Sequence, residues 1–154
     1  MTTKTLIAIA ACALLLVAAA TFVTGQDPDA DQATATDGFG VQLSVDKVTY
    51  AVGDPIILTV SVFNGTDESL VLPFNNSQRY DYSIDDSEGN QVWLWSGDRM
   101  FLQALGVENL GPDKPCLRYE QSFTGELAPG VYTVTGSITS RTVPLSASTT
   151  IVVK

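Results

Sequence analysis

The sequence predicts an all-β, antiparallel sandwich. Three observations predict it: apolar and polar residues alternate through much of residues 41–153, turn signals separate the alternating runs, and no helical period lasts beyond a turn or two. Val41, Leu43 and Val45 share one face of the first run, and Ile56, Leu58, Val60 and Val62 repeat the pattern after Gly53-Asp54-Pro55. Asn64-Gly65-Thr66-Asp67 marks the next turn. Residues 70–74 then read as a short strand, Tyr80, Tyr82 and Ile84 as a further face, and 86–90 as a hairpin loop from which 91–95 pairs back. A short helix is expected only around 100–105. Pro129-Gly130-x-Tyr132 fits a tyrosine corner, in which the phenol bonds backbone just upstream, and it opens a Thr/Val-rich run. Val143, Leu145, Ala147, Thr149, Ile151 and Val153 alternate almost to the last residue.

Ahead of this domain, residues 5–25 read TLIAIAACALLLVAAATFVTG, without a charge and with Lys4 on the N-terminal side. The run is expected to form an apolar helix. It is longer than the roughly 7–15 apolar residues of a signal peptide and close to the about 20 of a membrane span. Ala18-Ala19-Ala20 would serve a signal peptidase, so a cleaved signal and a retained anchor both stand. Either way the remainder is expected outside the cytoplasm, membrane-anchored or secreted. Ile9-Ala10-Ala11-Cys12 has the outline of a lipobox, but too little apolar sequence precedes Cys12. Residues 26–40, QDPDADQATATDGFG, bury too little apolar surface to order themselves and read as a flexible linker. Asp27, Asp29 and Asp31 alternate as in a calcium loop, but the glycine and the distal glutamate that such a loop needs are missing in register. The expected units are therefore 1–25, 26–40 and 41–154.

Composition excludes several functions. The net charge is −9, with no basic patch to neutralise phosphates, which argues against nucleic acid and leaves the N-terminal segment as the only membrane contact. The chain has no histidine, which removes the usual general base, the Ser-His-Asp and Cys-His arrangements and the commonest metal ligand. Neither a phosphate-binding glycine loop nor a zinc-spaced Cys cluster is present. Asp81, Asp85, Asp86 and Glu88 read as solvated acids rather than a glycosidase pair. No catalytic residue, metal or cofactor is expected: the chain reads as a non-enzyme. Outside the apolar run Cys116 is the lone cysteine, expected as a buried thiol, with an intermolecular bridge as the alternative. Asn64 and Asn75 head sequons beside predicted turns and are candidate glycosylation sites.

Both tryptophans and two of the five tyrosines fall within 78–105. Tyr80, Tyr82, Trp93 and Trp95 sit at strand spacing, which predicts cross-strand packing of their rings into one sheet face. Val92 and Leu94 are apolar too, so the tryptophan strand is expected to lie centrally, covered on both faces.

A set of ordered features follows the same stretch: Tyr50-x-x-Gly53, a strand ending at Asn64, Leu72-Pro73-Phe74, and Gln78-Arg79-Tyr80-Asp81. An acidic hairpin ending in Gly89 comes next, then Val92-Trp93-x-Trp95-Ser96, Phe101-x-Gln103-Ala104-Leu105 and Pro129-Gly130-x-Tyr132-Thr133. In this combination the chain resembles the BsuPI-type intracellular proteinase inhibitor domain, from about Gly40 onward. The resemblance implies an immunoglobulin-like β-sandwich and a protein partner, a serine proteinase of subtilisin type, but no reactive-site residue. The chain departs from it in its export segment and in Pro112-Asp113-Lys114-Pro115-Cys116.

An inhibitor needs a protruding loop with a large apolar residue. Two candidates follow the tryptophan strand: Ser96, Gly97, Asp98, Arg99 and Met100, and residues 106–116 with Leu110. The expected function is an extracytoplasmic inhibitor of subtilisin-like serine proteinases. The alternative is a non-inhibitory immunoglobulin-like module for adhesion, envelope architecture or complex assembly.

Overall fold

The computed structural model describes residues 33–36, 38–142 and 145–154. The expected N-terminal helix, Cys12, the Asp27/Asp29/Asp31 alternation and Val143 lie outside them. The described residues form eleven strands and one 3-10 turn: β1 (Ala33–Thr36), β2 (Phe39–Val45), β3 (Thr49–Tyr50), β4 (Ile56–Asn64), β5 (Leu70–Phe74), β6 (Tyr80–Asp85), β7 (Gln91–Leu94), the turn Trp95–Asp98, β8 (Gly106–Leu110), β9 (Cys116–Phe123), β10 (Gly130–Ile138) and β11 (Leu145–Val153). They make an all-β sandwich. One sheet runs β1-β2-β4-β9, the facing sheet β3-β11-β10-β6-β7, and β5-β8 form a two-stranded sheet at one end.

The alternation fixes which residues face inward. Val41, Leu43, Ile56, Leu58, Val60 and Val62 from one sheet meet Tyr82, Ile84, Val134, Ile151 and Val153 from the other in one core. The two sheets approach closely at Gly136 in β10, where a Cβ would come within 2.9 Å of Leu43 and 3.2 Å of Val60. A glycine inside a strand is thereby explained by backbone proximity rather than by a turn. Tyr82 crosses the same gap. Its hydroxyl accepts from the Val60 N–H at 2.8 Å and donates to the Tyr119 carbonyl at 2.7 Å, and Val60 and Tyr119 face one another in the β4–β9 register. One phenol thus joins the sheets and completes a ladder bond. Burial pushes its ionisation well above the ordinary tyrosine range.

The tyrosine corner forms as expected: Tyr132 Oη donates to the Ala128 carbonyl at 2.8 Å. The hairpin over 86–90 also forms. Asp86 accepts from the Glu88 and Asn90 N–H groups at 2.9 Å, and Gly89 takes the left-handed conformation at φ 84°.

Five expectations are corrected. Residues 33–36 and 39–40 of the predicted linker are strand, because ladder pairing to β2 and β4 needs backbone groups rather than apolar side chains. The β3–β11 pair is parallel, short though it is. Residues 100–105 form no helix. The tryptophan strand β7 is not central but ends its sheet, with Val92 45% exposed, since the chain turns away at Trp95 after a strand of four residues. Cys116 is half-buried rather than buried, by parity with the outward-facing Arg118 and Glu120, and it is not a free thiol.

Candidate interaction loop

The chain leaves β7 at Trp95 and rejoins a sheet at Gly106. What happens between is decided by the aromatic cluster beneath. Tyr80 stacks on Tyr119 with ring centres 4.7 Å apart, and its other neighbours are Trp95 at 4.6 Å and Tyr82 at 5.7 Å. Burial, followed by the nearby Glu108 charge, pushes the Tyr119 ionisation up to about 12. Trp93 packs against Phe123 instead, at 5.0 Å. The rings therefore divide between two contacts rather than sharing one row. Trp95 is buried and Trp93 half-buried.

Trp95 is the first anchor of the loop. Asp81 secures the turn that it opens, accepting from the Ser96 N–H at 3.1 Å and the Ser96 hydroxyl at 2.5 Å. Asp81 is accordingly not a merely solvated acid. The next residues fold back on the indole: the Arg99 guanidinium lies 4.5 Å over the Trp95 ring, its Nε donates to the Trp95 carbonyl at 2.9 Å, and the Phe101 ring sits 5.8 Å from it. Asp98 lies 3.9 Å from Arg99. Gly97 and Asp98 face solvent.

A second anchor follows directly. The Leu102 N–H donates to Ser77 Oγ at 3.0 Å, and the Ser77 N–H donates to the Leu102 carbonyl at 2.9 Å. Between the anchors Arg99 is extended, at φ −116° and ψ 149°. Extended backbone sends successive side chains to opposite sides. Arg99 and Phe101 turn toward Trp95, while Met100 is 99% and Leu102 75% exposed. Leu105, at 79%, extends the apolar surface toward Val107 and Val71 on the outer face of the two-stranded sheet.

Arg79 fastens that small sheet to the body. Its guanidinium covers the Phe74 ring at 4.6 Å, packs against Gly106 and pairs with Glu108 at 3.4 Å; Glu108 in turn lies 3.5 Å from Lys114. Gln78-Arg79-Tyr80-Asp81 thus places, in order, a loop residue, a clamp on the small sheet, a stacked ring and the loop's anchor.

Of the sequence-predicted site residues, Ser96, Gly97, Asp98, Arg99 and Met100 come together in this loop. Leu110 does not join them. It is 0% exposed at the end of β8, because 106–110 pairs with β5 over its whole length, and only 111–114 remain as a tight turn. Asn64 is likewise corrected as a glycosylation site. It is 2% exposed at the end of β4, and its Nδ2 donates to the Glu68 and Leu110 carbonyls at 2.7 and 2.9 Å. A glycosylated nitrogen could not make both bonds. Asn75 is exposed in a bend. Leu102 and Leu105 were missed by sequence reasoning, although apolar residues at 100, 101, 102, 104 and 105 fit neither a strand nor a helix period.

Away from this loop, the recess beside Tyr50, Gly53 and Leu127 is an open surface depression that encloses no space for a small molecule. Among the described residues no group of acids or cysteines could hold a metal ion, and no helix is long and apolar enough to cross a membrane. The Asp86 carboxyl titrates below its ordinary range, chiefly through hydrogen bonds from Asn90, as suits a hairpin staple.

A family model described as BsuPI, intracellular proteinase inhibitor, matches residues 43–143, from β2 to beyond β10. No curated protein matches the chain in sequence. Among solved structures, the chain is similar to the sporulation control protein Spo0M from Bacillus subtilis. They are 14% identical at a TM-score of 0.50, over 77% of this chain and 50% of that one, a likeness of fold alone. The C-terminal domain of wzt is 10% identical at a TM-score of 0.48, over 80% and 78% of the two chains.

Proposed function

We propose that this chain, which belongs to the BsuPI intracellular proteinase inhibitor family, works outside the cytoplasm by blocking a serine proteinase of subtilisin type through the loop between β7 and β8. The observation that carries this is the segment 99–102, held at both ends, with Arg99 extended and Met100 and Leu102 turned to solvent. A standard interface of about 1,600 Å² gives tight inhibition only if little is spent on ordering the loop. Trp95, Asp81 and Ser77 have done that ordering in advance. Residues 5–25 supply the reason to place the domain outside, as a secreted or anchored form, although the family is named for intracellular members.

The test titrates the full chain, purified in mild detergent, against subtilisin, a chymotrypsin-type and a trypsin-type enzyme. Stoichiometric inhibition of at least one is expected. Full activity of all three at micromolar excess would discard it. In that event the exposed Val71 and Val107 on one sheet face favour the immunoglobulin-like adhesion, envelope or assembly role. The location is tested separately, with an impermeant amine reagent on intact cells: Lys47, Lys114 and Lys154 are exposed and should label before lysis.

A further inference from the structure

Resting on the inhibitory role just proposed, we infer that Met100 is the residue that enters the target's specificity pocket, so that the target class is proteinases cleaving after large apolar residues, not after arginine. The loop contains a basic residue at 99, immediately before Met100. Arg99 is spent elsewhere. Its guanidinium is stacked 4.5 Å over Trp95 and its Nε is bonded to the Trp95 carbonyl at 2.9 Å, so presenting it would dismantle the loop's own anchor.

Proteinases bind the segment they attack as an added extended strand, through its peptide groups as well as its side chains. That requirement separates the exposed apolar residues of the loop. Leu102 has both its N–H and its carbonyl committed to Ser77, and the Ala104 N–H closes a tight turn onto the same carbonyl at 2.8 Å. Leu105 lies beyond that turn, next to β8. Among the described residues, no hydrogen bond engages the peptide N–H of Met100 or Phe101. Arg99 and Phe101 are both held by one indole, which leaves Met100 as the outward tip between them, 99% exposed. The bond set for attack is Met100–Phe101. Its hydrolysis consumes one water and leaves a carboxylate on Met100 and an amine on Phe101. The Phe101 contact with Trp95 and the Leu102–Ser77 pair hold that amine in place.

The experiment compares the full-length wild type, Met100→Lys, Met100→Ala and Leu102→Ala against subtilisin, chymotrypsin and trypsin, with circular dichroism to check each fold. Slow cleavage is mapped by mass spectrometry. Expected are wild-type inhibition of subtilisin or chymotrypsin and a loss of roughly 100-fold or more in Met100→Ala. Met100→Lys should gain inhibition of trypsin, with the cut located after residue 100. Leu102→Ala should keep the wild-type preference. If the wild type inhibits but Met100→Lys keeps its preference, or the cut lies elsewhere, the assignment of Met100 is overturned and the inhibitory role stands. If no variant inhibits any enzyme, both are overturned.

Discussion

Two segments leave the tryptophan strand in succession, 96–105 and 106–116; sequence reasoning offers Ser96 to Met100 and 106–116 as candidate loops and expects a short helix only around 100–105. Each has a glycine, an acid and a leucine. The second folds into a sheet: Gly106 to Leu110 pair with β5, and its large apolar residue points inward. The first has no strand to pair with and is held by side chains instead, Trp95, Asp81 and Ser77. An apolar residue in a turn-rich segment therefore says nothing about presentation until the backbone's partner is known. Here β5 needed a partner, and 106–110 was the free run able to supply it.

The sharpest break between the segments is expected from Leu110→Asp. Leu110 is fully buried, and its carbonyl also accepts from Asn64. Removing a buried leucine costs about 2–5 kcal/mol, and an unpaired buried charge adds to that. Such a sum approaches the stability of a whole domain. Thermal unfolding followed by circular dichroism should lose its cooperative transition. A melt within a few degrees of wild type would return 106–116 to the surface.

Next in size is the loop's own foundation. Trp95→Ala should cost about 3–5 kcal/mol in chemical denaturation, since the ring is buried against Tyr80. Trp93→Ala should cost less, its ring being half-exposed over Phe123. Equal losses would mean that the two tryptophans share one packed row after all.

How much of this was legible follows from what each feature depends on. The faces of β2, β4, β6 and β11 were readable because alternation is a property of a single strand, and the Tyr132 corner because its bond spans only four residues. The β7 edge position, the β5–β8 pairing and the burial of Asn64 depend on residues far apart in sequence, 46 positions in the case of Asn64 and Leu110. Composition within the segment cannot encode them. The loop lay between these extremes. Ser96 to Met100 were identified, but Arg99 as a clamp and Ser77 as a second anchor are visible only once the chain has folded back on Trp95.

Asp81 gives a smaller and more local test. Asp81→Ala removes the acceptor for both Ser96 groups and should cost about 1–2 kcal/mol, less than a fully buried charged bond because the site is half-exposed. Hydrogen exchange at residues 96–101 should quicken while β8 stays protected. Unchanged exchange there would mean that Trp95 and Ser77 hold the loop without Asp81.

The smallest expected effect is the most discriminating. Met100→Asp places a charge at a residue that is 99% exposed and makes no contact that the fold needs. Substitutions at such sites change stability by no more than about 0.5 kcal/mol. The same leucine-or-methionine-to-aspartate chemistry that should unfold the domain at 110 should thus be silent at 100, ten residues away. Proteinase inhibition, in contrast, should fall sharply, because an apolar specificity pocket rejects a carboxylate that must shed its water to enter. A stable, well-folded Met100→Asp protein that has lost its partner separates presentation from structure in one measurement. A destabilised one would show that Met100 packs against the body, and the contrast between the two segments would then be one of degree.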